Sequence, residues 1–294
     1  MNKLLLATAI GLTFAANAQA GLATNVSVYD GVDTSAAHTL ATNASAFDWN
    51  EAGSGLAVGI GPFGSPLSIG QTFNFLYQAN LVNFTGFGAP SNLVTTGTGG
   101  GFASNQFEFT VVANLVEQVI GAGLVGPFAT AAFASTGGTI SIFFDNLTVG
   151  GAKANIASGT GFDDGIEVAR FTATGGASNF TAISSTMGFG GTSYDFGVTA
   201  ALDFVNSAYI QGIAPITDFH FESTQNAPAG TSTTSNFHVG GSALYGDHAV
   251  ASNDILFKVD GASKFTVPEP SSVALLGLGV IGISLVGRRR TSKV

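Results

Sequence analysis

Cysteine is absent from the 294 residues. That removes disulfides, thiol catalysis, zinc–thiolate sites and iron–sulfur clusters from consideration. Bases are scarce as well, 9 Lys and Arg against 18 Asp and Glu. Five of the nine lie near the two ends (Lys3, Arg288, Arg289, Arg290 and Lys293), so only Lys153, Arg170, Lys258 and Lys264 serve everything between. Phosphate backbones are held by clustered Lys and Arg, which argues against a nucleic-acid partner. Charged residues make up only 9% of the chain, and no Lys- or Glu-rich helical block occurs. Such a surface offers hydroxyls and amides, groups that suit neutral polymers, sugar hydroxyls or divalent cations.

The N-terminus reads MNKLLLATAIGLTFAANAQA: a base at Lys3, an apolar stretch from Leu4 to Ala16, and small residues at Ala18 and Ala20. This is the three-part pattern of a secretory signal over residues 1–20, with cleavage expected before Gly21. The exported body, residues 21–265, is large enough for one β domain with a core of its own.

In the body, Phe and Gly are abundant and short alternating runs recur between Gly, Asn and Ser clusters. TFNFLY places Phe73, Phe75 and Tyr77 on one side, and NQFEFTV does the same with Phe107, Phe109 and Val111. TISIFFD, SYDFGVT and ILFKVD follow suit with Ile140, Ile142 and Phe144, with Tyr194, Phe196 and Val198, and with Ile255, Phe257 and Val259. Period-two alternation marks strands with one buried face. Strands without intervening helices predict an all-β, sandwich-like domain or a related barrel. VVANLVEQVIGAGL has apolar residues at mixed spacing, and the stretch from Ala113 to Ile120 is a candidate helix. No stable repeat period supports a solenoid or propeller.

Several motifs are cheap matches. Gly59-Ile60-Gly61-Pro62-Phe63-Gly64 fits G-x-G-x-x-G, but a strand-like run follows it instead of a helix, so these read as turn glycines. In TDFHFES, Asp218, His220 and Glu222 share the face opposite Phe219 and Phe221, which reads as a solvated strand edge. Asp247-His248 offers two members of a Ser-His-Asp set without the G-x-S-x-G elbow that would accompany them. Asp163, Asp164 and Glu167 form the densest acidic cluster and, with Asp30 and Asp33, mark where calcium would be sought. The cluster lacks the D-x-[DN]-x-[DN]-G spacing, and a solvated acidic turn is the favoured reading. Five N-x-[ST] triplets start at Asn25, Asn43, Asn83, Asn146 and Asn179, as expected by chance in this composition.

The C-terminal residues 266–294 form a cassette. Pro268-Glu269-Pro270 is followed by 17 uncharged residues, Ser271 to Gly287, and then by Arg288-Arg289-Arg290. As a helix the run would be about 25 Å long, just enough for a single transmembrane span. The arginines act as a cytoplasmic stop. The two prolines keep the chain extended beside the membrane, a geometry that favours proteolysis over permanent anchoring.

This cassette resembles the PEP-CTERM family in Val267-Pro268-Glu269-Pro270-Ser271-Ser272, in Gly277, Gly279 and Gly282 of the span, and in the closing arginines. The resemblance implies cleavage by an exosortase after export to the inner membrane of a Gram-negative bacterium, and delivery to the cell surface or extracellular matrix. The stretch from Phe47 to Gly86 is similar to the body of flocculation-associated PEP-CTERM proteins, which implies a part in cell aggregation in floc or biofilm. Together these readings give a non-enzymatic matrix protein with no cofactor beyond a calcium candidate. It would contact exopolysaccharide through hydroxyl- and amide-rich faces and through exposed aromatics such as Trp49 and Tyr245. The alternatives are a self-assembling surface protein and a secreted glycan hydrolase.

Overall fold

Alternating Phe and polar residues fold here as long antiparallel strands, and those strands close on themselves. The computed structural model describes residues 21–22, 26–60, 67–86, 107–125, 128–147, 153–183, 192–213, 215–223 and 234–267. In chain order the strands are β1 (Gly21–Leu22), β2 (Val26–Tyr29), β3 (Thr39–Trp49), β4 (Ser54–Val58), β5 (Thr72–Gly86), β6 (Phe107–Val125) and β7 (Phe128–Asn146). There follow β8 (Ile166–Ile183), β9 (Thr192–Val205), β10 (Ile210–Gln211), β11 (Ile216–Ser223), β12 (Asn236–Phe237), β13 (His248–Ala249), β14 (Ile255–Lys258) and β15 (Asp260–Val267). One 3-10 turn, Ala36–His38, accompanies them.

Eight of these strands form a ring in the order β3-β15-β11-β9-β8-β7-β6-β5, and a β3–β5 pairing from Ala44↔Gly86 to Trp49↔Leu81 closes it. The domain is all-β, as expected, and its sheet is a barrel. β2 with β10 and β4 with β14 extend the path on either side. The expected C-terminal span, 271–287, lies outside the described residues. Among the described residues no helix is long and apolar enough to cross a membrane.

The inward positions carry aromatics. Phe47, Trp49, Phe75, Tyr77, Phe84, Phe109, Phe144, Phe171, Phe196, Phe219 and Phe221 are all buried and belong to one apolar cluster. Their rings meet mostly edge to face: Phe47–Phe84 at 4.9 Å, Phe84–Phe109 at 5.7 Å, Phe109–Phe144 at 5.1 Å and Tyr77–Phe221 at 4.6 Å. That geometry sets the positive ring edge against the negative face and adds about 0.5–1.5 kcal/mol per pair beyond area burial. Outward positions such as Thr72, Asn74, Thr172, Thr174 and Thr199 are exposed. A membrane-spanning barrel has the reverse order, apolar outside and polar inside.

The candidate helix around Ala113 to Ile120 is instead the middle of β6. Its inward residues keep a two-residue period through Ala113, Leu115, Glu117 and Val119, and the spacing looks mixed because one of these is Glu while the outward Val112, Val116 and Ile120 are apolar. The first register shift of the β6–β7 pair places its extra residue, Thr136, on β7, and the second places Ile120 on β6, so β6 changes face only after Val119.

Two stretches, 153–165 and 234–250, lie over the outer face of β4 to β7. Leu56 and Leu76 pack with Phe237 there, and Val112 and Phe143 with Phe162 and Tyr245. This covering explains why Thr110 and Glu108, on the polar face of β6, are buried too. At Gly241 even one methyl group would overlap the Asp163 carboxyl, so the two stretches meet only because that residue is glycine.

Candidate functional site

The residues leading into the proline motif are built into the sheet. β15 pairs with β3 from Gly261↔Trp49 to Lys264↔Ala46, and Phe265 is fully buried. The strand runs on to Thr266 and Val267, which pair antiparallel with Leu22 and Gly21. Pro268 comes next, and a proline has no N–H to extend the ladder. Gly21, the residue expected to begin the mature chain, is therefore the register partner of the last residue before the motif. Pro268, Glu269, Pro270, Arg288, Arg289, Arg290, Ala18 and Ala20 themselves lie outside the described residues.

The acidic candidates are spent locally. Asp163 is buried, and one of its oxygens accepts the Ser242 backbone N–H at 3.0 Å while Oδ1 has no partner. Burial, followed by repulsion from Asp164 and Asp247, raises its pKa to about 6. Asp164 is exposed, and Glu167 accepts the Ser141 hydroxyl at 2.7 Å beside the Arg170 guanidinium. Asp30 accepts the Val32 N–H and lies 2.7 Å from the His38 ring. Among the described residues no three His, Asp or Glu side chains come together as a metal site.

The histidine candidates separate likewise. His248 pairs with Asp254 at 3.0 Å, while Asp247 accepts the Gly240 N–H, so the two neighbours do not act on each other. His220 lies 3.7 Å from Asp195, and Asp218 accepts the Thr199 hydroxyl at 3.0 Å, both on the outer wall. Gly59 forms a left-handed turn whose N–H reaches Asp254, and the next described strand is β5.

Trp49 and Tyr245 are corrected from exposed to buried. Trp49 sits two residues from Phe47 and so shares its inward face, and its indole N–H donates to the Ser263 hydroxyl at 2.6 Å. Tyr245 points down onto the sheet and donates to the Ser141 hydroxyl at 2.6 Å. Phe204 is the aromatic left at the surface among the described residues, with Arg170 over its ring at 5.8 Å.

Three buried groups escape sequence reasoning. Glu117 points into the barrel, with both carboxyl oxygens unpartnered, and desolvation raises its pKa to about 8. Ser135 is its register partner on β7 and lowers that pKa slightly, without closing a hydrogen bond onto either oxygen. Glu108 accepts from Asn80 at 2.9 Å and from the Ala154 N–H at 2.6 Å, and burial still raises its pKa to about 7. His238 is held near a pKa of about 4 by burial, its Nε2 lying 3.2 Å from the Tyr77 carbonyl. Glu117 continues the two-residue alternation of Phe107, Phe109, Val111, Ala113 and Leu115, a signal that could have placed it inside.

The outer wall of β8, β9 and β11 is a ladder of short polar side chains. Thr172 donates to Asp203, Thr174 to the Thr199 carbonyl, and Thr199 to Asp218.

Residues 266–290 match the model of the PEP-CTERM protein-sorting motif. No curated protein and no solved structure matches the chain.

Proposed function

We propose that this PEP-CTERM protein is a non-enzymatic matrix component that helps cells and exopolysaccharide cohere in floc or biofilm. Its sorting motif implies an extracellular protein processed by an exosortase and directed towards the surface of a Gram-negative cell. The observation that carries the binding reading is the exposed Thr and Asp ladder of β8, β9 and β11. Hydroxyls and carboxylates on a rigid wall accept and donate to sugar hydroxyls, one weak contact per rung. Many copies would then hold a polymer by avidity without any tight site. Trp49 and Tyr245, being buried, supply no ring stacking to such a polymer.

A non-enzymatic role is supported by what the perturbed carboxyls do. Asp163 and Glu108 accept backbone N–H groups beneath the covering stretches, and Glu117 lies within the barrel. A glycosidase needs two carboxylates facing a groove. Edge-strand self-assembly has little to build on, because the strand path ends in the two-residue β10 and the four-residue β14.

Beads densely coated with the exported protein should retain purified exopolysaccharide. Joint replacement of Thr172, Thr174 and Thr199 by Val should reduce retention several-fold. Unchanged retention by the triple variant, or no retention by the parent, would refute the wall as the binding surface.

A further inference from the structure

We infer that stretches 153–165 and 234–250 form a pH-sensitive cover on the barrel wall, tight in mildly acidic conditions and loosened at neutral pH and above, where it bares the apolar patch beneath. Acidic side chains fasten it at two places. Glu108 on β6 accepts the Ala154 N–H at 2.6 Å with one oxygen and the Asn80 amide at 2.9 Å with the other, which pins the first stretch to the sheet. Asp163 accepts the Ser242 N–H at 3.0 Å and so ties the first stretch to the second. Its other oxygen lies against Gly241, buried without a partner. Glu108 is 7% exposed and Asp163 2%. A third fastening needs no carboxyl. His238 holds the second stretch to β5, its Nε2 lying 3.2 Å from the Tyr77 carbonyl and its backbone N–H donating to the Gln78 side chain at 3.1 Å.

The surroundings of these carboxyls are mostly negative. Glu108 faces Asp145 of β7, whose Oδ2 is buried without a partner, and on the cover side the exposed Lys153. Asp163 faces Asp164 and Asp247, both exposed, and the Tyr245 phenol. Asp164 faces Asp145 as well, so wall and cover meet along one acidic seam. Arg170, on the far side of Tyr245, lies beside Glu167. A buried carboxyl among like charges favours its neutral form. Protonation leaves each a carbonyl oxygen for its backbone N–H, so the fastenings survive it. Ionisation instead places charge away from water, and lifting the cover returns that water. With pKa values of about 7 and about 6 under the cover, Glu108 and Asp163 hold protons there that they would lose once exposed. The closed form's advantage is therefore complete below the ordinary carboxylate range and is lost as pH rises to about 7. His238, facing His248 and Asp247, opposes this in part, since its pKa of about 4 favours closure more as pH rises towards 6.5. Two raised carboxyls outweigh it. What the cover shields is apolar: Leu56 and Leu76 under Phe237, and Val112 and Phe143 under Phe162 and Tyr245.

Amide hydrogen exchange on the full chain tests the cover, read as protection factors so that the intrinsic pH dependence of exchange cancels. Between about pH 5 and about pH 8, protection of the Ala154 and Ser242 N–H groups should fall about tenfold or more relative to β8 and β9. Joint Glu108→Gln and Asp163→Asn replacement fixes both fastenings in a neutral form, and protection should then no longer fall. Asp164→Asn, at an exposed position, removes a like charge facing Asp163 and Asp145 and should move the loosening to higher pH. Cover and barrel amides losing protection in step would overturn the inference, because the whole fold and not a cover would be responding. A double variant that keeps the parent's pH dependence would overturn it too. If the double variant does not fold, Asp164→Asn decides, and a transition left at the parent's pH refutes the acidic seam as the cause.

Discussion

At the scale of single residues, buried ionisable groups set the pH behaviour. Glu117, Glu108 and Asp163 bind their protons more tightly in the fold, with pKa values raised to about 8, 7 and 6. Between the ordinary carboxylate range and those values the folded chain holds protons that the unfolded chain has lost, so stability falls as pH rises through that window. His238 works in the other direction. Its pKa is lowered from 6.5 to about 4, so its contribution is complete above 6.5 and is lost as pH falls towards 4. The three raised carboxyls outweigh the one lowered histidine, so the melting temperature should fall as pH rises from about 5 to 8. Glu117→Gln should flatten the decline between pH 6 and 9, and parallel curves for parent and variant would show that Glu117 is not responsible. A second prediction concerns Ser263, the acceptor of the Trp49 indole N–H. Ser263→Ala leaves that donor buried without a partner, a cost of about 1–3 kcal/mol. Calorimetry should show a melting temperature lower by several degrees, with a changed indole emission.

At the scale of elements, what was legible depended on how regular each strand is. The Phe alternation of β5, β7, β9 and β11 could be read directly, and Phe75, Ile142, Phe196 and Phe219 do face inward. The second half of β6 was harder, because its inward face carries Glu117 and its covered outer face carries Val112 and Val116, which hides a two-residue period that in fact runs unbroken to Val119. Tyr245 reads as a lone aromatic because the sheet surface it covers is supplied by Ser141, about a hundred residues earlier in the chain. Trp49 was legible in principle, since its two-residue spacing from Phe47 places both on one face. The covering stretch 234–250 makes its own prediction. Gly241→Ala forces a methyl group into the Asp163 carboxyl, an overpacking cost of about 1–3 kcal/mol. Limited proteolysis should then cut between 234 and 250 before the barrel opens. Cleavage elsewhere first would mean that this stretch is not the least stable part.

At the scale of the whole molecule, closure was the least legible feature. The ring depends on β3 meeting both β5 and β15, and β15 lies more than two hundred residues further along the chain. No local pattern encodes a pairing of that range; it emerges when the aromatic faces have one interior to share. Closure also decides how the protein meets its surroundings. Among the described residues its long strands are paired, most aromatics lie inside, and Thr, Asn and Asp side chains face outward. A cohesion factor of this kind needs a partner polymer, whereas a self-assembling one does not. The chain should accordingly stay monomeric in sedimentation at high concentration without polysaccharide, and growing oligomers would favour self-assembly. The most direct test of the aggregation role is settling of a strain lacking this protein, with exopolysaccharide stained in parallel. Polysaccharide should still be made while the cells fail to settle together. Settling indistinguishable from the parent strain would contradict the cohesion reading.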